Sequence, residues 1–399
     1  MLKKYKLTRD LYLMITFSGL RNISDLFFGT FFISYIMQLA TNEILAVSTY
    51  KLFEFTATAA GFFLFANWCK KYGKVSVFAL NLVPKVLLLM AIILLGDNVV
   101  NYIMPLGLLY GIGAAMYHLP MNSMTGEKVP AHMMGRYIGI KSAIIYTVKI
   151  LAPIILGLFI TVGSYTEMAY VLLGLTVVEL VLMCFFTKSR HGQSASADFA
   201  GFFRCMLRFP IIRGMFMIES LRGFAIGLMD TIVPMYTVYM FHTDLNLGIF
   251  TTIFSMISIV CAWLFGKYAR REMYPKILGA CMAMILIGVG LFVTWTVPAT
   301  FVLYNFVYAT AIKTFSQIND VNTFNVSKSK CMSKNHRIEY FVFRDFALFI
   351  GRWIGFVGLM YIGVFGGYEW LRWYLLVITA ALIMSCVFLA KLAPHVRNR

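Results

Sequence analysis

Charge is scarce in this chain: Asp, Glu, Lys and Arg make up only 13% of its 399 residues, against 60% hydrophobic ones. No soluble core could hide that much apolar surface, so a water-soluble domain is excluded and a polytopic membrane protein is implied. Gly-rich nucleotide loops, hydrolase serine motifs and metal-ligand clusters are missing. That absence excludes an ATP-driven pump, argues against an enzyme and leaves no cofactor to expect. The seven cysteines, Cys69, Cys184, Cys205, Cys261, Cys281, Cys331 and Cys386, stand singly without metal-ligand spacing, which predicts neither a disulfide nor a metal site. The first apolar run, 11–40, is too long for a signal peptide and has no small-residue cleavage pattern after it, so it is expected to be a retained helix.

What is present is length and repetition. Apolar runs long enough to cross a hydrocarbon core of about 30 Å can be drawn at 11–40, 44–67, 75–95, 100–122, 137–161, 167–187, 211–240, 247–266, 275–294, 299–323, 338–365 and 368–390. The loops between them sort by charge. Those at 41–43, 96–99, 162–166, 241–246, 295–298 and 366–367 hold no Lys or Arg, whereas the alternate set carries the basic residues, among them Lys70, Lys71, Lys74, Lys128, Arg136, Lys267 and Arg270. The net charge of +18 is therefore read as a topology signal and not as a nucleic-acid footprint. These readings predict an all-α membrane protein of twelve transmembrane helices in two pseudo-symmetric six-helix halves. Both termini are expected in the cytoplasm, and the chain is expected to be a monomer in the cell membrane. The halves are 1–187 and 211–399, joined by a cytoplasmic linker at 188–210. In that linker a polar piece precedes an amphipathic one, with Phe199, Phe202, Phe203, Met206 and Leu207 against Arg204 and Arg208, expected to lie as a short helix on the inner leaflet.

Inside the spans the few charges are placed in pairs. Arg21 and Asp25 are four apart in the first span and share a helical face with Phe28, Phe32 and Tyr35. Leu20-Arg21 and Tyr35 recur 201 residues later as Leu221-Arg222 and Tyr236, and Lys141 with Lys149 recurs at an offset of 203 as Arg344 with Arg352. A cation at mid-bilayer costs about 2.5–3.5 kcal/mol, so these groups need compensation. Glu54 lies one turn from Lys51 and Glu219 one turn from Arg222, which suggests local pairs beside Arg21–Asp25. Asp230, Asp320 and Glu339 fall near the ends of their apolar runs, and Lys149, Arg352 and Lys313 have no sequence-local acid. Lys85 in span three and Glu179 in span six could form a structural bridge. His118 could titrate near neutral pH or simply hydrogen-bond between helices.

The loop after the second span, Ala66-Asn67-Trp68-Cys69-Lys70-Lys71-Tyr72-Gly73-Lys74, is similar to the Gly-x-Leu-x-Asp-Arg-x-Gly-Arg-Arg signature of the major facilitator superfamily. Gly73 and the basic residues match, while Lys70 stands in the place of the acid and Ala66 in that of the first glycine. The twin loop, Gly266-Lys267-Tyr268-Ala269-Arg270-Arg271, again has a base, Arg270, in place of the acid. Twelve spans with a long linker between the sixth and seventh resemble that superfamily over essentially the whole chain. The resemblance implies a cavity lined by spans one, two, four, five, seven, eight, ten and eleven. Arg21, Lys51, Lys141, Lys149, Arg222, Lys313, Arg344 and Arg352 all fall on those spans. An arginine on span one facing one on span seven, with a lysine on span two, resembles the organophosphate exchangers and implies an anionic substrate class.

The expectation is thus a secondary active transporter that moves a phosphate- or carboxylate-bearing solute by alternating access, coupled to a proton or sodium. Its substrate-binding set would be Arg21, Arg222, Lys149, Arg352, Lys51, Lys313, Tyr35 and Tyr236. Asp25, Glu54, Glu219, Lys141, Arg344, Asp345 and His118 would couple or gate. The same charges also read as interhelical locks. Two further readings stay open: a flippase or exporter of an amphiphile such as an anionic lipid-linked headgroup or a drug, and a non-transporting scaffold or sensor.

Overall fold

The computed structural model describes residues 8–129, 134–187, 197–268, 271–327 and 337–397. Among them every regular element is helical. The first predicted span comprises α1 (Arg9–Leu26), a π turn (Phe27–Phe31) and α2 (Phe32–Leu39). The others are α3 (Glu43–Tyr72), α4 (Lys74–Leu80) with α5 (Leu82–Leu95), α6 (Ile103–Lys128), α7 (Met134–Val162) and α8 (Tyr165–Met183), and, after the linker helix α9 (Phe199–Arg208), α10 (Pro210–Phe241), α11 (Asp244–Tyr268), α12 (Tyr274–Thr294), α13 (Pro298–Ser327), α14 (Arg337–Phe365) and α15 (Gly367–Arg397). The twelve expected spans are therefore all present as helices.

Nine helical stretches among the described residues are long and apolar enough to cross a membrane, and one of them, Lys74–Lys128, runs through predicted spans three and four. Spans one and ten fall short for physical reasons. The first is diluted by Arg21, Asn22 and Asp25, and α13 by Asn305, Lys313, Gln317, Asn319, Asp320 and Asn322; the first is also interrupted by a π turn. Such an interruption is not visible in hydropathy, and π turns concentrate at functional sites. The break between α4 and α5 has a simpler cause. Pro84 cannot donate to the carbonyl of residue 80, and its ring crowds that turn, so the helix resets at Asn81.

Two compact units form. The first comprises Met1–Leu39, Phe53–Ala197 and Thr243–Thr252; the second comprises Ala40–Leu52, Asp198–His242 and Ile253–Arg399. At one end of the first, Leu11, Met14, Phe17, Phe78, Tyr117 and Tyr137 make a buried core, with the rings of Phe17 and Phe78 4.7 Å apart. In the second, α10 and α14 touch backbone to backbone. A Cβ on Gly223 or Gly351 would fall inside the carbonyl of Leu348 or Ser220, and one on Gly227 or Gly355 would collide with Arg352 or Leu228. Small residues four apart on both helices permit this approach, as packing between apolar helices in lipid requires.

The linker helix departs in part from its expected seat on the membrane. Asp198 caps it by accepting from the Gly201 N–H. Phe202 is fully buried against Phe216, Tyr340 and Phe343, which docks α9 onto α10 and α14. Phe203 and Leu207 remain exposed, so the apolar surface predicted as one face divides between protein and surroundings. Residues 188–196 of the linker, and Ala269 and Arg270 of the twin loop, lie outside the described residues.

Candidate functional site

The first unit holds the ion pairs Arg21–Asp25 and Lys85–Glu179 among its helices. On α1, Arg21 Nε lies 2.8 Å from Asp25 Oδ1, with the arginine side chain 2% exposed. The spacing of four makes this pair, as expected. The contact is close in distance but not an aligned hydrogen bond, and Nη2 has no hydrogen-bond partner among the described residues either. From α6, Tyr110 donates to Asp25 Oδ1 at 3.1 Å, and the guanidinium carbon sits 5.7 Å from the Tyr110 ring and 5.1 Å from that of Tyr117. Two turns separate these tyrosines, so one face of α6 forms a shelf for the arginine. Tyr117 in turn donates to Ser18 Oγ at 3.3 Å. The suggested Lys85–Glu179 bridge is present between α5 and α8, and Glu179 is within electrostatic reach of Arg21. Phe28, 4.9 Å from Tyr110, shares the Arg21 face as the pattern predicted.

The corresponding arginine in the second unit is held differently. Arg222 Nη1 lies 3.4 Å from Glu219 Oε2 and 3.2 Å from Asp320 Oδ1, and its side chain is 20% exposed. Glu219 is buried and also accepts from Asn319 Nδ2 at 2.9 Å and Thr323 Oγ1 at 3.2 Å. Asp320, near the end of its apolar run at 299–323, lies two turns inside α13, which continues to Ser327. On α14, Arg344 Nη2 pairs with its neighbour Asp345 at 2.7 Å, and the side chain of Arg352 lies over Gly227 of α10.

The remaining predicted residues are placed as follows. Lys51 and Glu54 are buried on α3, with Lys51 Nζ 5.4 Å from the Tyr50 ring. Lys141 and Lys149 on α7 and Lys313 on α13 are half-buried. His118 is exposed, its ring edge-on to Tyr117 at 4.9 Å. Tyr35 donates to Asp97 Oδ1 at 3.2 Å, and Tyr236 to the carbonyl of Tyr368 at 3.3 Å.

Sequence reasoning missed a polar knot at the basic-loop end of the first unit. Asp10 Oδ2 accepts from Lys128 Nζ at 2.5 Å, while Oδ1 accepts from the Thr187 hydroxyl at 2.9 Å and the Thr187 N–H at 3.3 Å. Burial pushes the Asp10 carboxyl up, but these hydrogen bonds and the Lys128 charge outweigh it and hold the group below the usual carboxylate value. Nearby, Gly73 adopts a φ of 91° that turns α3 into α4. Lys74 then pairs with Glu127 of α6. The acid that the loop lacks at Lys70 is in effect supplied by another helix.

Long apolar helices with charges sealed between them define a multi-pass membrane protein of the transporter class. The chain belongs to the Major Facilitator Superfamily, whose family model matches residues 20–326. It is similar in structure to the crystal structure of a D-xylose-proton symporter, with a TM-score of 0.74 and 12% identity, covering 98% of this chain and 99% of that one. A bacterial homolog of the human lysosomal transporter Spinster, in an inward-facing and unoccupied conformation, gives a TM-score of 0.60 at 12% identity, covering 96% of each chain. At that identity the likeness is one of fold. No curated protein matches the sequence.

Proposed function

We propose that this transporter moves a phosphate- or carboxylate-bearing anion by alternating access, with Arg21 and Arg222 as its principal ligands. Lys149, Arg352, Lys51, Lys313, Tyr35 and Tyr236 complete the binding set. The observation that carries this reading is Arg21. Its guanidinium is 2% exposed, yet Nη2 has no hydrogen-bond partner among the described residues. Leaving such a donor unmet costs about 1–3 kcal/mol or more, and an anionic oxygen would meet it with a charge-assisted bond. Arg222 is already shared between Glu219 and Asp320, so an incoming anion competes with carboxylates there. That competition is a means of coupling occupancy to the gating set of Asp25, Glu54, Glu219, Lys141, Arg344, Asp345 and His118. One structural neighbour is a D-xylose-proton symporter, and a proton or sodium taken up at those carboxylates would couple a gradient to the cycle. We place the protein in the cell membrane with both termini inside, on the loop charges.

The test is uptake by proteoliposomes, paired with thermal shift of the purified protein. Phosphorylated and carboxylated solutes should raise the apparent melting temperature, since a ligand that binds only the folded form stabilises it, and neutral sugars should not. Stabilisation by an uncharged solute or an acylated amphiphile, with no response to anions, would overturn the assignment.

A further inference from the structure

Four helix starts repeat one arrangement at the end of each unit whose loops carry no lysine or arginine. In the first unit Tyr165, the opening residue of α8, donates to Asp244 Oδ1 at 2.7 Å, and Asp244 is the opening residue of α11. Asp244 also accepts from Ser34 Oγ at 2.6 Å and Gln38 Nε2 at 3.1 Å, and the Tyr165 ring stacks on Tyr35 at 4.3 Å. In the second unit Tyr368, second in α15, donates to Glu43 Oε2 at 2.6 Å, and Glu43 opens α3. The Tyr368 ring stacks on Tyr239 at 3.9 Å and meets Tyr236 at 5.7 Å. The members correspond along the chain: Tyr35 with Tyr236 and Glu43 with Asp244 at 201 residues, Tyr165 with Tyr368 at 203. Neither carboxylate forms an ion pair among the described residues.

An acid in the first turn favours a helix by itself. That accounts neither for the tyrosine facing each acid nor for Asp244 being only 9% exposed. What the two pairs share is chain topology. Segment Thr243–Thr252 comes from the second half of the chain but is held by first-half helices, and Ala40–Leu52 comes from the first half but is held by second-half helices. Around Asp244 the seating is completed by Thr252 donating to the Ile150 carbonyl at 3.0 Å, and around Glu43 by Asn42 donating to the Gly363 carbonyl at 2.6 Å. Each tyrosine–carboxylate bond therefore ties one chain half to the other half's helix start.

We infer that Tyr165–Asp244 and Tyr368–Glu43 are a duplicated latch that keeps the lysine- and arginine-free end of the transporter closed, and that both must release before that end opens. A hydroxyl on a carboxylate is a strong hydrogen bond while buried, and water replaces it once the segment lifts, which suits a contact that must break in each cycle. The inference rests on the reading that the protein alternates, but not on the solute being an anion.

Spin labels at Glu167→Cys and Glu369→Cys, exposed positions beside the two tyrosines, in a background with the native cysteines replaced, read the gate by distance without any solute. Tyr165→Phe and Tyr368→Phe keep the rings and remove the hydroxyls. Each should raise the ratio of long to short distances roughly tenfold, and the double variant more. Tyr374→Phe, whose hydroxyl bonds the Gly355 carbonyl, should leave it unchanged. Amide exchange of residues 40–52 and 243–252 in the native-cysteine protein gives a second reading that needs no labels. Distances in the double variant that superimpose on wild type would overturn the latch. So would faster exchange confined to the helix starts without any change in distance. A shifted distance with no anion transport would keep the latch and remove the anion assignment.

Discussion

Lys85 and Glu179 bury a complete ion pair: Lys85 Nζ lies 2.9 and 2.8 Å from the two carboxylate oxygens of Glu179, with the side chains 2% and 0% exposed. It joins α5 to α8, so its role is to fix the first unit and not to meet solute. Breaking one partner should destabilise by about 3–5 kcal/mol, because the other charge is left uncompensated, whereas replacing both by apolar residues is often neutral. Lys85→Met and Glu179→Gln should each lower the melting temperature in detergent sharply, and Lys85→Met with Glu179→Met should recover most of the loss. A double variant no better than the worse single one would mean that the pair also serves the neighbouring Arg21.

Asp10 makes the stability of the first unit depend on pH. Its carboxyl is held below the ordinary value by Lys128 and Thr187 in the face of burial. A depressed folded-state pKa contributes stability that is present above the unfolded value and lost as pH falls through the folded one. Asp10→Asn should therefore lower the melting temperature at neutral pH, and its difference from wild type should close in strong acid, below the ordinary carboxylate range of about 3.9. A difference that persists unchanged to the acid end would assign the effect to packing.

How far these sites could be read in advance follows from where their partners lie. Arg21–Asp25 and Arg222–Glu219 are one turn apart on a single helix, so spacing alone predicted both. Lys85–Glu179 was legible only as a possible bridge: Lys85 is the one charge of its span, but nothing local sets its partner on another helix. Asp320, Asn319 and Thr323 reach α10 from α13, and no local rule sets which residue of one helix meets which of another. Tyr110 and Tyr117 did carry a signal, seven residues apart on one face, but many aromatic pairs in this chain have similar spacing. The π turn at Phe27–Phe31 left no trace in hydropathy, because adding one residue to a turn changes hydrogen bonding and not composition.

The contact between α10 and α14 leaves no room for a methyl group at Gly351, whose Cβ would overlap the Ser220 carbonyl. Gly351→Ala should push the helices apart and cost about 1–3 kcal/mol, as overpacking does. Gly279→Ala on α12, with open space around it, should be neutral or slightly stabilising. Melting temperatures of the two variants, measured side by side, check this. Equal values would mean that the second unit absorbs the methyl by a shift of the helix backbone.

Arg21 and Arg222 supply the sharpest test of solute chemistry, because their surroundings differ. Arg21 is sealed over the Tyr110 and Tyr117 rings with Asp25 as its acid, and Arg222 is partly exposed between Glu219 and Asp320. Arg21→Lys keeps a charge for Asp25, so the fold should survive, but it removes the planar fork that gives an oxyanion two parallel hydrogen bonds. Arg222→Lys loses the same fork. Each should weaken anion binding by on the order of 2–3 kcal/mol, which is tens-fold in affinity, with little change in melting temperature. Asp25→Asn should act in the opposite direction on affinity, since it removes the carboxylate that competes for Arg21. Titration calorimetry on the three variants, with uptake in proteoliposomes alongside, separates binding from turnover. If both lysine variants bind the anion as wild type does, the guanidinium groups are locks within their own units and the solute is recognised elsewhere.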